Sequence, residues 1–146
     1  MTQMTVTPLE ALQKTLAAEH AAVYVYGVLG GRVSASTAPA LAADLRAAYA
    51  QHRARRDQLT TKVLGEGGEP VPAEVSYEVP TAARTTAQHR AAARQVEATC
   101  AQTYAAAVAS TDRADRQWAV TALEDAAVRG LRFGAAPTAF PGAPEL

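Results

Sequence analysis

Apolar residues recur at spacings of three and four along four stretches of the chain, and each stretch predicts an amphipathic helix. The first stripe reads Leu9, Leu12, Leu16, Glu19, Val23, Tyr26. The second reads Leu41, Leu45, Ala48, His52, Leu59, Val63, with Arg55 or Arg56 near the seam. The third is Ala93, Val96, Glu97, Cys100, Tyr104, Val108. The fourth carries Trp118, Val120, Thr121, Leu123, Glu124, Val128 and Leu131, and its inner face is the hardest to place. Punctuation bounds the helices at about 8–31, 38–63, 82–109 and 113–133. Thr7, Pro8 and Glu10 form a Thr-x-x-Glu capping box at the first start. Thr37 or Ser36 is expected to cap the second helix, and Thr111 or Asp112 the fourth. The third is expected to begin after Thr81. Gly30-Gly31 and Gly67-Gly68 read as stops.

Connection lengths set the topology. Short links between helices 1 and 2 and between helices 3 and 4 make two antiparallel hairpins. The middle connector, residues 65–80, is rich in Gly, Pro and Glu and has no helical period. A helix of about 26 residues is ~39 Å long, and about sixteen extended residues reach ~50 Å. The connector can therefore run the length of the bundle. Two hairpins joined by one long crossover is the ferritin-like four-helix arrangement, with helices 2 and 3 parallel. An up-down-up-down bundle is the alternative. The expected fold is all-α, in a single ferritin-like domain over residues 1–146.

Each stripe carries one Glu or His. A lone carboxylate such as Glu19 on a buried face would cost several kcal/mol unless paired. Counted from the predicted helix ends, Glu19, His52, Glu97 and Glu124 all lie ~17–21 Å from the same end of the bundle. Di-iron carboxylate bundles place a Glu on each of two helices and Glu-x-x-His on each of the other two. Here Tyr49 stands where the Glu before His52 would be, and Ala127 stands where a His should follow Glu124. The set is therefore incomplete for two metals. No cofactor is expected; the alternative is one divalent ion (Fe, Mn or Zn) on Glu19, His52, Glu97 and Glu124. Asp125, His20 and Tyr49 are conceivable substitutes. The same residues can also form a metal-free network, with His52 or an arginine (Arg55, Arg56, Arg90 or Arg94) as the cation.

The segments AEHAAVYVYGVLGGR (18–32), QHRARRDQL (51–59), ALEDA (122–126) and FPGAPEL (140–146) resemble an uncharacterised bacterial ferritin-like family, a domain of unknown function found mostly in high-GC Gram-positive bacteria. The resemblance spans nearly the whole chain. It implies the four-helix fold and no particular activity. The ferritin ligand positions it carries over are Glu19, His52, Glu97 and Glu124.

Composition sharpens this picture modestly. Alanine, the best helix former, is roughly a quarter of the 146 residues. Formal net charge is zero, which argues against a nucleic-acid partner. The single cysteine, Cys100, excludes an intramolecular disulfide and points to a reducing compartment. The start, MTQMTVTPLEALQK, has no apolar run and no cleavage site, so a cytoplasmic protein is expected. No stretch has the ~20 apolar residues of a membrane span. His20 is expected on the rim, His89 in solvent, and Cys100 as a small core hydrophobe. The acidic connector (Glu66, Glu69, Glu74, Glu78) is expected to lie over the arginine-bearing helices and to be held partly by charge. No phosphate loop, catalytic triad or zinc-knuckle spacing is present. A ligand- or partner-binding or structural bundle is the leading reading, with a reduced-ligand metal protein second. The partners left open are a second copy of the chain, a small molecule or another protein.

Overall fold

The structure, a computed structural model, describes residues 5–80 and 83–146. It contains four helices: α1 (Pro8–Arg32), α2 (Pro39–Gly65), α3 (Thr86–Ser110) and α4 (Arg113–Arg132). No strand occurs among the described residues. No described helix is long and apolar enough to cross a membrane.

The helix starts follow from local hydrogen bonding. At α1, the Thr7 hydroxyl accepts from the Glu10 amide, and the Glu10 carboxylate accepts from the Thr7 amide at 2.7 Å, closing the expected capping box. The α2 cap differs from expectation. Ala38 is the N-cap and offers no side-chain bond, because the Ser34, Ser36 and Thr37 hydroxyls are spent inside the preceding turn. The predicted start of α3, after Thr81, falls partly on residues 81–82, outside the described residues. The helix itself begins at Thr86, behind a second capping box between Thr85 and Gln88. Thr111 and Asp112 alone separate α3 from α4, and this tight link puts Arg113 at φ +48°. Asp112 is the N-cap but makes no side-chain cap bond. Gly30 and Gly31 do not stop α1, which runs on to Arg32. Gly67, at φ +77°, does follow the end of α2.

Cross-helix contacts give the direction of every helix. Leu12 and Leu16, early in α1, cluster with Leu59 and Val63, late in α2. Tyr26, late in α1, reaches the carbonyl of Ala93, early in α3. Lys62 pairs with Asp115 at 2.6 Å, and Arg55 pairs with Asp125, so α2 and α4 are also antiparallel. Helices α2 and α3 are therefore parallel, as the long connector requires.

The connector runs along α1. The Gln13 side chain donates to the Glu69 carbonyl at 2.5 Å and accepts from the Val71 amide at 2.8 Å. Two turns further on, His20 Nε2 donates to the Val71 carbonyl at 2.9 Å. Tyr24 then stacks at a tilt on Tyr77, centroids 5.6 Å apart, and Val79 packs on the core. Charge does not hold this segment: among the described residues no ion pair joins its glutamates to an arginine. Amide, imidazole and phenol side chains on the outer face of α1 do the holding, and Glu66, Glu69, Glu74 and Glu78 are exposed. The C-terminal tail docks on α3. Phe140 is exposed; instead Gly142, at φ +75°, lies so close to α3 that a Cβ there would run into the Ala101 carbonyl oxygen.

Candidate functional site

Three of the four inward polar residues meet at mid-bundle. Glu19 and His52 are fully buried and Glu97 is 2% exposed. His52 Nδ1 lies 2.6 Å from Glu19 Oε2, and His52 Nε2 lies 3.0 Å from Glu97 Oε1. Two buried phenols complete the set. Tyr104 donates to Glu19 Oε1, and Tyr26 donates to Glu97 Oε1 at 2.5 Å. The Tyr26 ring also stacks on the imidazole, centroids 5.3 Å apart. Regular helix geometry explains the convergence. Glu19 and Tyr26 are two turns apart on α1, and Glu97 and Tyr104 two turns apart on α3, so each antiparallel helix offers a carboxylate and a phenol on one face.

Protonation follows from these partners. Burial opposes charge on His52, but its hydrogen bonds to Glu19 and Glu97 and the charges of these carboxylates outweigh it and raise the pKa to about 9. The imidazolium then donates from both nitrogens. Burial, reinforced by Glu97 at Tyr26 and by Cys100 and Glu19 at Tyr104, pushes both phenols well up, so they remain donors. Burial and the same two carboxylates push the Cys100 thiol well up as well, which leaves no nucleophilic thiolate.

The fourth helix departs from expectation. Glu124 is exposed and lies outside the network. The buried face of α4 is Ala119, Ala122, Ala126 and Gly130, and the next residue along, Asp125, is the acid that joins. Arg55, 3% exposed, donates to Asp125 and reaches the Tyr104 hydroxyl at 3.4 Å. Burial works against the Asp125 carboxylate, yet Arg129 and Arg55 hold its pKa below the usual value. Arg129 donates to Asp125 at 2.6 Å and lies 3.9 Å from Glu97 Oε2. Three basic side chains, His52, Arg55 and Arg129, thus meet three acidic ones, Glu19, Glu97 and Asp125. Arg129 was not singled out from sequence; its spacing of four from Asp125 was the available signal. Arg56 turns outward to Asp57. His20 sits at the rim, as expected. His89 does not lie in solvent: it is 5% exposed because it extends the buried α3 stripe of Ala93, Val96 and Cys100, and its Nε2 has no hydrogen-bond partner among the described residues.

Glu19, His52 and Cys100 each place a ligand atom within 4.8 Å of the others, so this buried group could hold a metal. A di-iron group does not fit the residues present. Tyr49 is half-buried under the Arg53 guanidinium, Ala127 carries no ligand, and Glu124 faces out. A single ion would have to displace a proton from His52 and another from Cys100, and take carboxylate oxygens already committed to donors.

A cavity of about 320 Å³ lies beside the network, between α3, α4 and the tail. Ala98, Ala101, Ala127, Leu131, Phe140 and several prolines line it, with Arg94 and Glu97 as its charged members. Arg94 is anchored to the Phe133 carbonyl at 2.8 Å. Glu97 Oε2 is buried and has no hydrogen-bond partner among the described residues.

A search among curated proteins finds no match. The crystal structure of a conserved hypothetical protein, rv2844, from Mycobacterium tuberculosis is similar at 31% identity, with a TM-score of 0.77, covering 88% of this chain and 91% of that one. Residues 11–145 match the family described as "Domain of unknown function (DUF4439)", and the chain belongs to that family.

Proposed function

We propose that this protein is a ferritin-like bundle that works as a small-ligand binding protein, with a metal-free polar network at the level where di-iron relatives hold their metals. The observation that carries this reading is the closed Glu19–His52–Glu97 chain, in which both imidazole nitrogens are committed to carboxylates. The cavity against Glu97 supplies a place for a ligand. A cytoplasmic setting fits the single buried thiol. Metal analysis of protein purified without chelator, together with an assay of oxygen-dependent Fe²⁺ oxidation, tests the reading. Substoichiometric metal and no oxidation are expected. Two irons per chain with oxidation would overturn it.

One observation favours a second reading, a single soft divalent ion at Glu19, His52 and Cys100: the proximity of their ligand atoms. Titration with Co²⁺ separates the two. A thiolate-to-cobalt absorption band with release of protons would establish the metal reading in place of the first.

A further inference from the structure

Glu97 has two oxygens with different fates. Oε1 accepts from Tyr26 and from His52. Oε2 is buried without a hydrogen-bond partner among the described residues, and Arg129 lies 3.9 Å away. A buried acceptor left in this state is destabilising, and native proteins normally satisfy it. Glu97 also lines the cavity between α3, α4 and the tail, whose other walls are mostly alanine, proline, leucine and phenylalanine. Concave, largely apolar sites with a few convergent polar groups are the usual form of small-molecule pockets.

Charge decides the class of head group. The network already sets three basic side chains against three acidic ones, and Arg94 adds a further cation to the cavity wall. An ammonium would enter an environment with no negative charge left uncompensated. A carboxylate would gain Arg94 but would set a second anion, with no donor to offer, against Glu97 Oε2. A neutral hydroxyl can donate to Oε2 without disturbing either balance, and the apolar walls take the rest of the molecule. We infer that the α3–α4–tail cavity binds a small neutral apolar alcohol whose hydroxyl donates to Glu97 Oε2. This rests on the ligand-binding reading and names the ligand class for it. The tail wall is held by Gly142 against Ala101, so the cavity exists only with the C-terminus docked.

Four probes with one octyl chain test the inference by calorimetric titration of the full chain at neutral pH: octan-1-ol, its methyl ether, octylamine and octanoate. Octan-1-ol is expected to saturate one site, at least tenfold more tightly than each of the other three. The ether keeps shape and neutrality but lacks the donor, and a hydrogen bond to a charged acceptor is strong enough to give that ratio. Ala127→Phe, which fills the cavity from α4 without touching the network, is expected to weaken octan-1-ol at least tenfold while the denaturation midpoint stays close to wild type. Equal binding of alcohol and ether, tighter binding of octylamine or octanoate, or full retention of binding in Ala127→Phe would each overturn the hydroxyl inference and leave a ligand-binding protein of other chemistry. No saturable binding of any probe would overturn both the inference and the ligand-binding reading.

Discussion

The two sides of Glu97 show opposite solutions to burying a carboxylate. On the α1–α2 side, every polar atom finds a partner, and the price of desolvating the acids is offset by two phenols and an imidazolium. On the α4 side, small residues leave space, and one carboxylate oxygen stays without a donor. The first region is finished chemistry: its imidazole, phenols and thiol are all protonated at neutral pH. The second is incomplete and has room. A saturated polar network fixes helix register and resists ligands, whereas an unsatisfied acceptor beside an apolar cavity invites one. On the proposed small-ligand reading, the contrast puts the ligand beside the network and not within it.

The comparison can be broken most severely at His52. His52→Ala removes the donor to two buried carboxylates and leaves a cavity. Breaking one side of a buried pair costs about 3–5 kcal/mol, a large part of a typical stability of about 5–15 kcal/mol. Urea denaturation should show a strongly lowered midpoint. An unchanged midpoint would mean that Glu19 and Glu97 do not depend on His52.

The same pairing gives a pH dependence. The folded pKa of His52 is raised to about 9, above the value near 6.5 expected unfolded. Its stabilisation is therefore complete below about pH 6.5 and is lost as pH rises through about 9, on the order of 3 kcal/mol in all. Denaturation midpoints measured between pH 6 and pH 8 should fall, in the part of that window below the range where the buried Cys100 thiol and the two phenols add their own loss, and His52→Ala should abolish this fall. A flat profile in wild type would show that His52 is buried neutral.

Glu19→Gln sharpens the contrast with a smaller loss, about 1–2 kcal/mol. The glutamine keeps the volume and can still accept from Tyr104, but it removes one of the two anions that hold the imidazolium. The pH inflection should move down in this variant. An inflection that stays near pH 9 would assign the His52 shift to Glu97 alone.

The sequence made one of these regions far more legible than the other. Glu19, His52 and Glu97 stood out because a charged residue on an apolar stripe is a strong contrast, and helix geometry then put them at one height. The long connector predicted parallel α2 and α3 for an equally physical reason, chain reach. The fourth helix failed as a guide because its buried face is alanine and glycine, which give almost no hydropathy contrast against the exposed Val128 and Leu131. Height along the bundle points to Glu124, whereas the structure brings in Asp125, one residue and about 100° of helix away. The capping box at Thr85 and Gln88 was present to be read, and it marks the start of α3 better than Thr81 did. The cavity had no local signature at all, since one wall is the tail folded back on α3.

That wall supports the last and smallest effect. Gly142 sits at φ +75°, a conformation that costs most L residues about 1–2 kcal/mol, and an added Cβ would meet the Ala101 carbonyl and the Ala105 side chain. Gly142→Ala should therefore lift the tail from α3 while leaving Glu19, His52 and Glu97 in place. Global stability should fall by only about 1 kcal/mol, because the tail adds little to the core, and the pH profile of His52 should be unchanged. Hydrogen exchange should speed up at Ala143 and Leu146, whose amides donate to Phe140 and Ala143 within the docked turn. If exchange at these amides is unaltered, the tail tolerates a side chain at 142, and the cavity wall is set by contacts other than this close approach. If the pH profile shifts together with the tail, the two sides of Glu97 are coupled, and the separation between a finished network and an open cavity does not hold.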